Sequence, residues 1–276
     1  MDRCAVPTLT CAGDNPIGAQ QLWPFVRRTF LGAEDEKWVF DTWAWLLRNL
    51  GGLARLRAAP LVDASRDYFP PTSADGHERV EHIFAWVKKW AGMSDWPTRL
   101  VPQAARVNTR VGEFAIVKIE SGDLPVGTFS VSDGEAIITY DPATLGEPAK
   151  LVATLAHELA HYLLHTVREE LPGGEEMHEF ATDLATVFLG FGLFTANQSF
   201  NFRQHGDTFS QGWQTSGLGY LRERDWALAL AIFSELRDEP VALLKSKLKP
   251  HLYSDVASAS RYLRKHPATL FAMRAL

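Results

Sequence analysis

The chain has 276 residues, enough for one large domain or two small ones, and 46% of them are hydrophobic, with nine Trp and sixteen Phe available for a core. A formal net charge of −5, with no dense basic block, argues against nucleic-acid binding. The two cysteines, Cys4 and Cys11, form neither a disulfide framework nor a paired metal-binding spacing, and they read as free thiols.

Residues 1–33 are punctuated by Pro and Gly and read as an irregular N-terminal segment without the apolar core of a secretion signal. Glu34 to Asn49 carries Trp38, Val39, Trp43, Leu46 and Leu47 at helical spacing. Leu61 to Phe69 reads as extended before Pro70-Pro71. Gly76 to Ala91 is an amphipathic helix, with Val80, Ile83, Phe84, Val87 and Trp90 as its apolar set. Residues 34–95 thus form a helical N-terminal part. Arg99 to Val107 and Phe114 to Ile119 read as strands. Thr128 to Val131 and Ala136 to Tyr140 flank Ser132-Asp133-Gly134, a hairpin signal with an Asp-Gly turn.

Pro148 to Thr166 reads as one uninterrupted helix. Pro148 suits the first turn, where a missing N–H costs nothing. Leu151, Val152, Leu155, Leu159, Tyr162 and Leu163 give it a wide apolar surface, and Thr154, His157, Glu158 and His161 occupy the remaining stripe. Residues four apart share a helix face, so His157 and His161 can offer two imidazoles to one metal ion. Glu158 lies about 60° around the helix from His161, beside such a metal rather than on it. Two neutral nitrogens and an adjacent base are what Zn²⁺ and a water nucleophile require. Burying such a stripe unpaired is costly, and a metal supplies the reason for it.

Catalytic zinc usually takes a third protein ligand and keeps one position open. After the break Leu171-Pro172-Gly173-Gly174, the run from Glu175 to Asp183 leads into an apolar stretch, Leu184 to Phe191, that reads as a buried helix. Glu179 and Asp183 are four apart and share a face. Glu179 reads as the third ligand. Asp183, a turn deeper, reads as the carboxylate that accepts the other ring N–H of a liganding histidine. His178 competes with Glu179 for the ligand position, with Thr182 then taking the supporting place. His165 falls on the metal-facing side but would force poor tetrahedral geometry.

His157-Glu158-Leu159-Ala160-His161 followed after seventeen residues by Glu179-Phe180-Ala181-Thr182-Asp183 resembles the gluzincin pattern of zinc metallopeptidases. The likeness covers Glu135 to about Phe191, a fifth of the chain. It implies an α+β, zincin-like fold, mostly helical, with a small mixed β-sheet preceding the motif helix. It implies one Zn²⁺ per chain on His157, His161 and Glu179, with Glu158 as general base and Asp183 supporting a histidine. The oxyanion-stabilising histidine or tyrosine of that family has no clear counterpart. His205 and Tyr220 are the candidates by residue type. A strand beside the site, Ala136 to Tyr140, is a candidate to hold an extended peptide.

Past the second metal helix, Asn197 to Gly219 is polar and aromatic, and the Lys245, Lys247, Lys249 cluster reads as a solvated face. Arg222 to Leu236 and one or two helices within Val256 to Arg274 make up a helical C-terminal part over residues 220–276. The most apolar stretch, Leu184 to Ala196, is shorter than the ~20 residues that cross a bilayer. The expectation is a single domain over 34–276: a cytoplasmic zinc metallopeptidase that acts on a peptide or protein and binds neither nucleic acid nor membrane. Oligomeric state is left open. The alternative is a zincin-fold regulatory or stress-response protein that binds a partner, with Asn197 to Gly219 as its surface and little turnover.

Overall fold

A computed structural model describes residues 29–103, 127–132, 134–203 and 221–276. Nine α-helices and three strands occur among them: α1 (Ala33–Asn49), α2 (Gly52–Ala58), α3 (Gly76–Trp90), β1 (Thr98–Pro102), β2 (Gly127–Ser132), β3 (Glu135–Tyr140), α4 (Pro148–His165), α5 (His178–Phe188), α6 (Gly192–Arg203), α7 (Glu223–Leu236), α8 (Pro250–Lys265) and α9 (Pro267–Arg274). The protein is therefore α+β, mostly helical, with one small mixed sheet.

Local chemistry accounts for the main elements. In α1 an acidic first turn (Glu34, Asp35, Glu36) and Arg48 in the last turn suit the helix dipole, while Val39, Trp43, Leu46 and Leu47 are fully buried. The β2–β3 hairpin pairs antiparallel from Ser132↔Glu135 to Gly127↔Tyr140, and Gly134 in its turn has φ +79°. β3 alternates buried and half-buried residues, so Ala136, Ile138 and Tyr140 face the core. After it, Asp141 Oδ1 accepts the Ala143 N–H at 2.9 Å, starting a short 3₁₀ turn that delivers Pro148 to the first position of α4.

The sheet order is β1-β3-β2, with β1 parallel and β2 antiparallel to β3. Ala136 to Tyr140 is thus the central strand. Both its edges are paired, and it offers no edge for strand addition, contrary to the sequence reading. Among the described residues β2 is at the border of this sheet. α4 packs against β2 and β3 of the sheet and against α5 and α6. α7 is buried along nearly its whole length, with Trp226, Leu230 and Phe233 in the core.

Several sequence expectations shift. Leu61 to Phe69, read as extended, is irregular with turns from residue 64 on, and α2 is an additional helix. The apolar run after Asp183 is two helices, broken at Gly190, whose φ is +93°. A Cβ there would meet the Pro60 carbonyl oxygen at 1.9 Å, and the Gly190 carbonyl accepts the Val62 N–H at 2.9 Å. Residues 197–203, the start of the polar and aromatic stretch, complete α6. The strand predicted from Arg99 is β1, ending at Pro102, and Lys247 is ion-paired with Asp63. Cys4, Cys11 and Phe114 to Ile119 lie outside the described residues. No helix among the described residues is long and apolar enough to cross a membrane.

Candidate metal centre

α4 and α5 bring the predicted residues together. His157 Nε2 and His161 Nε2 stand 3.1 Å apart, and Glu179 Oε2 lies 3.3 Å from the first and 3.4 Å from the second. Ligands ~2.05 Å from a tetrahedral ion sit ~3.3 Å from one another, so three donor atoms already have the mutual spacing that one such ion requires. Two imidazole nitrogens so close together repel as lone pairs unless a proton or a cation lies between them. His157, His161 and Glu179 are the one group of three or more potential ligands that converges in this way among the described residues. The imidazoles are largely covered, at 15% and 13% side-chain exposure, whereas Glu179 is 51% exposed. The pocket's open side is therefore its carboxylate side.

The supporting shell comes from two adjoining ridges of α5. On one ridge, Asp183 Oδ1 accepts from His157 Nδ1 at 3.1 Å, leaving Nε2 to face Glu179. Asp183 Oδ2 takes the Leu221 backbone N–H at 3.2 Å, so this buried carboxylate has a donor on each oxygen. On the other ridge, Thr182 Oγ1 lies 3.3 Å from His161 Nδ1, and the His178 ring is parallel to that of His161 at 5.2 Å. The pairs 179/183 and 178/182 each follow the four-residue rise of a helix, 100° apart around it. Glu179 and Asp183 serve His157, with Glu179 also reaching His161, while His178 and Thr182 serve His161. The sequence reading treated Thr182 and His178 as an alternative to Glu179 and Asp183. In the structure both pairs reach the site together.

Electrostatics follow from this layout. Burial opposes a charge on His157, but the hydrogen bonds to Asp183 and Glu179 outweigh it and lift its pKa to about 10. The facing imidazoles of His157 and His161 hold the Glu179 carboxyl well below the usual range. Glu158 is 5% exposed, and burial pushes its pKa up to about 7 against the pull of His157. It stands beside the three donors, not among them.

β2 is a third contributor that sequence reasoning missed. A Cβ on Gly127 would stand 2.6 Å from Thr154 Cγ2 and 2.8 Å from Glu158 Oε1, so the strand backbone lies directly against the proposed base. Two residues on, Phe129 presents a ring parallel to His161 at 6.3 Å and meets His165 edge-on at 5.8 Å. The signal available in the sequence was a glycine opening a strand two residues before an aromatic. His165 is exposed and outside the converging group. His205 and Tyr220 lie outside the described residues.

Compared with known proteins, the chain matches no family model, no curated protein and no solved structure.

Proposed function

We propose that this protein is a zinc-dependent metallopeptidase of gluzincin type, with a minimal zincin-like domain, acting in the cytoplasm on a peptide or protein. The observation that carries the reading is the convergence of His157 Nε2, His161 Nε2 and Glu179 Oε2 at 3.1–3.4 Å, with Glu158 buried next to them and excluded from the group. The donor set fits Zn²⁺: two neutral nitrogens and one carboxylate oxygen, with room left for a fourth ligand. Bound zinc supplies a Lewis acid and acidifies water. The chain's own residues do the rest. Asp183 fixes the tautomer of His157. Glu158, near neutral in pKa, accepts the proton of the attacking water and returns it to the leaving amine. The backbone of β2, which lies against Glu158 and borders the sheet among the described residues, is the element suited to hold an extended peptide. A cytoplasmic setting suits a chain with two cysteines and no disulfide framework.

One observation favours the second reading, a zincin-fold regulatory or stress-response protein that binds a partner with little turnover: Glu158 is almost fully covered. Glu158→Gln separates the two. In a peptidase the variant keeps about one zinc per chain by elemental analysis and loses peptide hydrolysis by a factor of ~10²–10⁴. If wild type carries zinc yet cleaves no member of a peptide library faster than Glu158→Gln, the partner-binding reading replaces the enzyme. If wild type takes up no zinc, both readings fail.

A further inference from the structure

His161 lacks the restraint that His157 has. Its Nδ1 faces a neutral hydroxyl at 3.3 Å, and that hydroxyl, Thr182 Oγ1, already donates to the His178 carbonyl at 2.9 Å. Thr182 can then only accept, so His161 Nδ1 carries the hydrogen and Nε2 keeps its lone pair for a ligand. The tautomer is set, but the plane of the ring is not. Apart from Nε2, which meets His157 at 3.1 Å and Glu179 at 3.4 Å, the ring is held by this one contact with a neutral hydroxyl, and tilting about it swings Nε2 off the point where His157 and Glu179 converge.

Two other rings remove that freedom. His178, from the first turn of α5, lies within 12° of parallel to His161 at 5.2 Å. Phe129, from β2, lies within 7° of parallel at 6.3 Å. Phe129 is itself held by a second ring, Tyr162 at 5.6 Å, which packs edge-on against Trp96 at 4.8 Å. Offset parallel rings resist rotation of the ring between their contacts.

We propose that His178 and Phe129 are positioning residues whose flat rings hold the His161 imidazole in its ligating orientation. The inference rests on the zinc reading of the site. His178 acts through its ring face and not through its nitrogens, so it is neither a ligand nor a proton donor. This separates it from Asp183, which acts through a hydrogen bond.

The experiment uses the full chain and titrates Zn²⁺ against a chromophoric chelator, with the visible absorption of the Co²⁺ form as the report on ligand geometry. His178→Ala is expected to lose about tenfold in zinc affinity, the lower end for residues that support a ligand, and to shift the Co²⁺ bands. His178→Phe, which keeps a flat ring and has no nitrogen, is expected to restore both. If His178→Phe is as weak as His178→Ala, a nitrogen is needed and the proposal is wrong. It is equally wrong if His178→Ala matches wild type. Should thermal unfolding of the metal-free chain show that His178→Ala does not fold, Phe129→Leu decides. That variant keeps apolar bulk without a ring, so weakened zinc binding supports the proposal and unchanged binding overturns it. Wild type that takes up neither metal removes the zinc reading itself, a result distinct from any difference among variants.

Discussion

Asp183 restrains His157 more firmly than Thr182 restrains His161, because a buried carboxylate makes a charge-assisted bond and a hydroxyl does not. Removing each should therefore cost different amounts. Asp183→Ala is expected to weaken zinc binding ~10–100-fold, and it also strips the Leu221 N–H of its acceptor. Thr182→Val should cost clearly less. Chelator competition on the two variants checks the order, and equal losses would mean that the carboxylate has no special role. Gly127 works by absence. In Gly127→Ala the new methyl meets Thr154 Cγ2, Glu158 Oε1 and the Thr139 carbonyl, and either β2 or the Glu158 carboxylate must move. Overpacking of this kind costs ~1–3 kcal/mol. Thr154→Ala removes the nearest of the three atoms, so the double variant should recover part of the loss in urea unfolding. Simple additivity of the two single effects would argue against the contact.

The elements that could be read from the sequence are those whose own pattern decides them. α4 announces itself through Pro148, a helical apolar period and a polar stripe, and β3 through alternation after an Asp-Gly turn. The pairing of residues within each of the two site helices was readable for the same reason, since helical spacing alone relates 157 to 161 and 179 to 183. What sequence spacing does not carry is how α5 is rotated against α4, which is why the joint service of Thr182 and His178 to His161 emerged only from the fold. The run from Leu184 to Ala196 is apolar throughout, so it holds no period that marks a break. The break at Gly190 is imposed from outside, by the Pro60 carbonyl and the φ of +93°. β2 could be placed as a strand, but its pressing against Glu158 is a tertiary fact. Gly190→Ala should consequently destabilise the chain by ~2 kcal/mol or more, since it combines an unfavourable φ with a collision against backbone. Denaturant unfolding of the variant measures this, and a change under ~0.5 kcal/mol, typical of a surface substitution, would show that the turn can rearrange.

The whole molecule converges on the junction of α4 and α5. Their 12-residue connection, 166–177, is pinned to α1: Glu169 accepts from Arg48 at 2.8 Å and Asn49 at 2.9 Å, and Trp38 Nε1 donates to the Pro172 carbonyl at 2.8 Å. The donor atoms are thus held by tertiary structure, and the metal binding proposed above would be linked to global stability. The direction of that linkage with pH follows from His157. Its folded pKa is raised from 6.5 to about 10, so its contribution to metal-free stability is fully present below about pH 6.5 and is lost as pH rises toward 10. A ligating His157 must be neutral, so across the same window Zn²⁺ has to displace a proton, and each unit of pH makes that displacement up to ~tenfold easier. The stabilisation by a fixed excess of zinc, RT ln(1 + [Zn²⁺]/Kd), should then grow by up to ~1.4 kcal/mol per pH unit. Paired thermal unfolding of the chelated and zinc-loaded chain between roughly pH 6.5 and 8 reads this directly: the gap between the two midpoints should widen as pH rises. In Asp183→Asn, which removes the carboxylate that holds the His157 proton, the widening should be shallower. A gap that stays constant with pH in wild type would mean that His157 carries no proton to displace, and the protonated His157–Asp183 pair would have to be abandoned.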